Sequence, residues 1–218
     1  MMKSYKYILF DLDGTIIDSS EGIVSSFIYA LSKFGIEEKP GEHMRRIIGP
    51  PLSHSFKTFY GFNDEDTALG VKYYREVYNA GLMLKNTLYP GMVELFDELR
   101  KEGKKVIVAT SKPEIFVRPI LEDLGILEKF DFIAGSIVGD IRVDKGEIID
   151  YIIDEMGIAD RSECVMIGDR DRDIIGARDV GVDGIGVLHG FGSLEELEAA
   201  GSIAIAQDPF DLKKILLG

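Results

Sequence analysis

Six short, nearly continuous apolar runs recur along the chain, and several are followed by a stripe of apolar residues at helical spacing. The runs are Tyr7-Ile8-Leu9-Phe10, Val106-Ile107-Val108-Ala109, Phe130-Asp131-Phe132-Ile133-Ala134, Cys164-Val165-Met166-Ile167, Gly184-Ile185-Gly186-Val187 and Ile203-Ala204-Ile205. A strand that is apolar on both faces must be covered on both, which a parallel sheet between helix layers provides. The stripes supply those helices. Val93, Phe96 and Leu99-Arg100 precede Gly103; Ile115, Val117, Ile120-Leu121 and Leu124 precede Gly125; Ile148-Ile149, Ile152-Ile153 and Met156 precede Gly157. Each glycine is a fitting stop signal. The alternation predicts an α/β protein with a doubly wound, Rossmann-like parallel sheet.

One stretch breaks the pattern. From Ile16 to Leu88 there is helical patterning rich in aromatics and no convincing strand. Val71, Tyr74 and Tyr78 share one face, as do Leu52, Phe56 and Phe59. This is too much helix for a single crossover. It predicts an inserted all-helical subdomain over 16–88, with the α/β core built from 1–15 and 89–218.

Charge and cysteine content narrow the partners. Lys plus Arg number 25 against 38 Asp plus Glu, a net charge of −13. Such a surface repels nucleic acid and anionic membranes while leaving a small anionic ligand open. Cys164 is the only cysteine, which excludes an internal disulfide and a Cys-rich zinc site; its apolar neighbours read as core. With no signal-peptide pattern and no apolar stretch near the ~18 residues that span a bilayer, a cytoplasmic protein is expected, monomeric or homodimeric.

Acidic residues cluster where two of the buried strands end. Asp11-Leu12-Asp13-Gly14-Thr15 follows the first run, at the edge where open α/β sheets bind ligands. Side chains two apart share a strand face, and two carboxylates at 4 Å repel by about 4 kcal/mol at an effective dielectric of 20. A cation or a retained proton is then expected, although Asp-Gly alone also reads as a turn. Gly168-Asp169-Arg170-Asp171-Arg172-Asp173 follows another buried run. A helix starting just after Asp169 would put Asp169 and Asp173 one turn apart. Capping would then explain Asp169 but not Asp173. Oxygen-only ligands suit Mg²⁺ rather than zinc. In Thr110-Ser111-Lys112-Pro113-Glu114, Ser111 and Glu114 have capping-box spacing, while Thr110 offers a hydroxyl for a phosphate oxygen at a helix start. Lys145 opens a helix against its dipole, which fits either a solvated surface or a site residue.

Taken in order, Asp11-x-Asp13-Gly14-Thr15, Thr110, Lys145 and Gly168-Asp169-x-x-x-Asp173 resemble the four motifs of the haloacid-dehalogenase superfamily. The insert is similar to that superfamily's type-1 helical cap, and the whole chain looks most like the phosphoglycolate phosphatase group. An acid at Asp13 matches the phosphatases and phosphomutases, not the dehalogenases or phosphonate hydrolases. The resemblance implies a Mg²⁺-dependent phosphomonoesterase acting on a small phosphorylated metabolite, such as phosphoglycolate or a nucleoside 5'-monophosphate. By it, Asp11 is the nucleophile that becomes an aspartyl-phosphate, and Asp13 exchanges protons with the leaving group and with water. Mg²⁺ falls to Asp11, the backbone carbonyl of Asp13 and Asp169, with Asp173 orienting water around the ion. Thr110, Lys145 and the Ser111 backbone N–H take the phosphoryl oxygens.

Around these, several residues stay open. Arg170 stands where many relatives carry a small residue, and either reaches substrate or pairs with an acid. The Ile48–Leu52 loop, with Gly49, Pro50 and nearby Arg46, is a specificity loop or an ordinary interhelical turn. Arg142 is a second site cation or a surface group, and His43 and His189 have no partner readable from sequence. Two rivals are a sugar phosphomutase and a receiver-like phospho-acceptor signalling module. The long insert and the Asp13-Gly14-Thr15 continuation argue against the second.

Overall fold

The structure is a computed structural model and describes residues 3–138 and 141–218. Its contacts divide the chain into two compact units, Met1–Ile17 with Leu88–Gly218, and Asp18–Thr87.

In the first unit each of the six apolar runs becomes a strand. They are β1 (Tyr7–Phe10), β4 (Lys105–Pro113), β5 (Phe132–Ser136), β6 (Cys164–Gly168), β7 (Asp183–Val187) and β8 (Ala204–Ala206). Their order across the sheet is β5-β4-β1-β6-β7-β8, and every pairing is parallel. Register places Leu9 of β1 beside Ile107 of β4 and Met166 of β6. All three are fully buried, against Ile148, Ile149, Ile152 and Ile153 of α6 (Lys145–Glu155) and Ala177 of α7 (Asp171–Asp179). On β1, Phe10 meets Phe96 of α4 (Met92–Lys101) edge-on, ring centroids 5.3 Å apart. Each such side chain stabilises the fold by roughly 1.5–3 kcal/mol when taken out of water. The helices α5 (Glu114–Asp123), α8 (Leu194–Ala200) and α9 (Pro209–Leu217) complete the layers. Cys164 is buried within β6, and burial pushes its thiol up to about 11, as befits a core residue.

Local details depart from the periodicity. The buried face of α4 is Met92, Leu95, Phe96 and Leu99, with Arg100 exposed. Ile115, counted with the α5 stripe, is 63% exposed. β4 runs on to Pro113, so that Pro113, not Ser111, precedes the helix, and the Ser111–Glu114 capping box does not form. Ser111 Oγ donates instead to the Val143 carbonyl at 2.9 Å.

The second unit holds α1 (Ser20–Ser32), α2 (Leu52–Tyr60) and α3 (Asp64–Asn79). Two-residue strands, β2 (Ile17–Asp18) and β3 (Thr87–Leu88), pair with each other at its ends, strands too short to show as a sequence pattern. The aromatics make its core. Phe27 stacks on Phe56 at 4.3 Å, Phe56 on Phe62 at 5.4 Å, and Tyr74 meets the edge of Phe27. Phe27 and Phe56 are fully buried, so these rings pack against one another rather than forming a platform for ligand.

Candidate active site

The chain starts in the middle of the sheet, runs outward through β4 and β5, then returns to β6 on the other side of β1. That reversal opens a crevice beyond the carboxyl ends of the central strands. Asp11 follows β1 there, Asp169 follows β6, and Thr110 lies in the second half of β4.

Asp11, Asp169 and Asp173 are buried, and one carboxylate oxygen from each lies within 4.8 Å of the others. Lys145, at the first position of α6, reaches into the cluster with a side chain 2% exposed. Its ammonium donates to Asp11 Oδ1 at 2.9 Å, to Asp173 Oδ1 at 2.8 Å and to the Ala109 carbonyl at 2.7 Å. An ammonium has three protons, so all are engaged. Lys145 is therefore buried among the acids rather than solvated. Asp169 accepts from the Phe191 backbone N–H at 2.7 Å and from Thr15 Oγ1 at 3.4 Å.

Electrostatics follow from three acids sharing one ammonium. Burial pushes Asp11 up to about 6 against the pull of Lys145, and burial with Asp173 and Asp11 nearby holds Asp169 well above the usual carboxylate range. Burial works against the charge of Lys145, yet Asp11 and Asp173 keep its pKa above the ordinary lysine value. With all three carboxylates ionised, the one ammonium would leave two negative charges in a buried space. A divalent ion with a preference for oxygen fits that deficit, and Asp11 and Asp169 supply the donors.

Asp173 does cap after all. The N-cap of α7 is Arg170, not Asp169, and Asp173 accepts from the Arg170 backbone N–H at 3.1 Å. One oxygen thus fastens the helix start while the other holds Lys145. Gly14 has φ +89°, and a Cβ there would lie 2.2 Å from Asp169 Oδ2, so this turn admits only glycine. The Asp13 side chain stands outside the three-acid cluster, its two oxygens 2.7 and 2.8 Å from Lys112 Nζ. Lys112 escapes a reading by sequence, since its partner is 99 positions away and its strand end looks like an ordinary turn.

The remaining candidates scatter. Thr110 is buried, and its Oγ1 accepts from the Lys112 N–H at 3.2 Å, leaving its own proton to donate. Arg170 pairs with Glu196 at 2.7 Å. Arg142 donates twice to the Gly135 carbonyl and stacks on Tyr151 at 3.8 Å. His189 Nε2 meets the Thr15 carbonyl at 2.9 Å, whereas His43 pairs with Glu38 in the second unit. In that unit Arg46 is exposed above the Phe59 ring, Gly49 has φ +100° and Pro50 is half-buried.

Known proteins carry the same architecture. The model of the haloacid dehalogenase-like hydrolase family matches residues 8–187. A 5'-nucleotidase from Pseudomonas aeruginosa is 39% identical over 212 residues, 97% of this chain and 96% of its own. Tyrosine-protein kinase PtkA of Mycobacterium tuberculosis is 33% identical over 205 residues, 93% of this chain and 69% of its own. A phosphoglycolate phosphatase from Agrobacterium fabrum is 28% identical over 203 residues, 90% of this chain and 86% of its own. The crystal structure of a predicted phosphatase from Clostridium acetobutylicum, 39% identical, superposes with a TM-score of 0.94 over 99% of both chains. With a central parallel sheet and an acid cluster at its carboxyl edge, the chain belongs to the haloacid dehalogenase-like hydrolases. Within them it is a phosphatase of the phosphoglycolate phosphatase-like group. Among the described residues no helix is long and apolar enough to cross a membrane.

Proposed function

We propose that this phosphatase is a magnesium-dependent phosphomonoesterase that works through a phosphorylated Asp11 on a small phosphorylated metabolite. The observation that carries the proposal is Asp11 itself, buried at the mouth of the central strand, 2.9 Å from Lys145 and grouped with Asp169 and Asp173. Asp11, Asp169 and the backbone carbonyl of Asp13 would hold the ion, which when bound offsets the charge of the phosphoryl group.

The chain's own groups do the rest. An Asp11 oxygen bonds to phosphorus as the bond to the leaving oxygen breaks, and Asp13 passes a proton to that oxygen. Asp13 then takes a proton from water as the water oxygen bonds to phosphorus and the Asp11–phosphorus bond breaks, regenerating both carboxyls. Thr110, the Ser111 N–H and Lys145 stabilise the phosphoryl oxygens as charge spreads over them. Asp173 keeps Lys145 in position through their 2.8 Å contact. Arg46, Gly49 and Pro50 of the 16–88 insert are candidate residues for reading the leaving group, and Arg170 is a further candidate in the core. Likeness to a 5'-nucleotidase over nearly the whole chain favours nucleoside 5'-monophosphates, ahead of phosphoglycolate.

The test is phosphate release across mononucleotides, phosphoglycolate and sugar phosphates, with Mg²⁺ and with EDTA, beside Asp11→Asn. Turnover is expected to need Mg²⁺ and to fall by at least about 1,000-fold in Asp11→Asn. Undiminished turnover by Asp11→Asn would overturn the covalent mechanism. Release that requires a sugar acceptor would instead identify a phosphomutase.

A further inference from the structure

Lys112 lies next to the last residue of β4, and its ammonium donates to both carboxylate oxygens of Asp13, at 2.7 and 2.8 Å. The pair is not a surface ornament, because the Lys112 side chain is 6% exposed and that of Asp13 13%. Exposed ion pairs constrain little; a sheltered one with two short bonds restricts torsions on both sides.

The segment that carries Lys112 is itself fastened. The Lys112 N–H donates to Thr110 Oγ1, Ser111 Oγ donates to the Val143 carbonyl, and Ser136 Oγ donates to the Ser111 carbonyl. On the other side, Asp13 bridges to Ile17, and the Gly14 N–H donates to the Ile17 carbonyl at 2.8 Å. With both backbones fixed, the freedom left to Asp13 is in its two side-chain torsions, and two bonds to one ammonium restrict both and orient the carboxyl plane.

We infer that Lys112 is a positioning residue, which holds the Asp13 carboxyl in the plane from which it exchanges a proton with the oxygen leaving or entering phosphorus. Resting on the proposed roles of Asp11 and Asp13, it assigns Lys112 to Asp13 and not to the phosphate. The side chain acts on the reaction through Asp13. A misaligned proton donor costs rate only where the leaving oxygen needs a proton.

The experiment compares kcat/KM for two substrates in wild type, Lys112→Met and Lys112→Arg. One is the alkyl phosphate that the wild type hydrolyses fastest; the other is p-nitrophenyl phosphate, whose nitrophenolate departs without a proton. This parameter reports the steps through cleavage of the substrate, and its ratio on one preparation is independent of the folded fraction. Lys112→Met should lower the alkyl value about 100-fold and the nitrophenyl value no more than about 3-fold. Lys112→Arg, which keeps a cation with paired donors, should recover at least about 10-fold of the alkyl loss. Equal losses on both substrates, an unmoved ratio, or a raised KM on both with kcat retained would overturn the inference while Asp11-dependent turnover stands. A wild type without Asp11-dependent turnover would overturn the reading of the site, and this inference with it.

Discussion

His189 is half-buried in the loop after β7, with Nε2 bound to the Thr15 carbonyl and Nδ1 buried without a hydrogen-bond partner. That pattern fits a neutral ring protonated on Nε2, since a proton on Nδ1 would be a buried donor with no acceptor. Burial holds its pKa below the ordinary histidine value, against the opposing pull of the Thr15 carbonyl and Asp208. The sign follows. Below pH ~6.5 the unfolded chain takes up a proton that the folded chain refuses, so stability is lost as pH falls through that value. Denaturant titrations at pH 7.5 and 5.5 should show the wild type losing more stability on acidification than His189→Gln. The excess is bounded by about 1.4 kcal/mol per pH unit. Equal losses in the two proteins would refute the assignment of a neutral buried ring.

Between elements, α7 approaches the start of α6 closely beside the site. A Cβ on Gly176 would lie 2.6 Å from Lys145 Cβ and 2.9 Å from the Gly146 nitrogen. Gly176→Ala should therefore push α6 outward and withdraw the Lys145 ammonium from Asp11 and Asp173. The expected cost is roughly 1–3 kcal/mol of stability, together with a fall in kcat of about 10-fold or more. Gly157→Ala is the control, for Gly157 has φ +61° with open space around it, and should cost about 1 kcal/mol while sparing kcat. A Gly176→Ala enzyme with wild-type kcat would show that the helices adjust without moving Lys145. At this scale the sequence is legible where a pattern is local. Tyr7–Phe10 and Cys164–Ile167 read as strands because both their faces are apolar, and Asp11 and Asp169 lie just beyond the ends of those strands. What could not be read depends on distant partners. The side of the sheet that covers a helix decides that Leu95 is buried and Ile115 exposed. Lys112 reaches Asp13 only because β4 pairs with β1 and carries it there. Asp173 joins the site and caps its own helix at once, a double role that spacing alone could not apportion.

For the molecule as a whole, the acid cluster opposes folding, and the ion that relieves it should be felt as stability. Folding raises the pKa of Asp11 to about 6 and holds that of Asp169 well above the usual carboxylate range. Without metal, their unfolded counterparts ionise near 3.9, so the folded chain retains protons that the unfolded chain has lost. The contribution of Asp11 then falls as pH rises from about 4 to 6, and that of Asp169 falls as pH rises from about 4 through its own raised folded-state value. The chain's −13 net charge adds a broader repulsion in the same direction. A divalent ion bound to the ionised cluster of the folded state would add RT ln(1 + [L]/Kd), about 2.7 kcal/mol at a hundredfold excess over Kd. At roughly 2–4 °C per kcal/mol for a chain of this size, Mg²⁺ should raise Tm by about 5–10 °C at pH 7.5. The rise should be clearly smaller at pH 5, where protons compete for the same oxygens. Asp169→Asn separates this from a general salt effect. In EDTA at pH 7.5 it should melt above the wild type, having shed a buried charge, and added Mg²⁺ should shift it by a small fraction of the wild-type response. A Mg²⁺ shift that is undiminished in Asp169→Asn, or as large at pH 5 as at pH 7.5, would mean that the ion acts on the acidic surface and not at the carboxyl edge of the sheet.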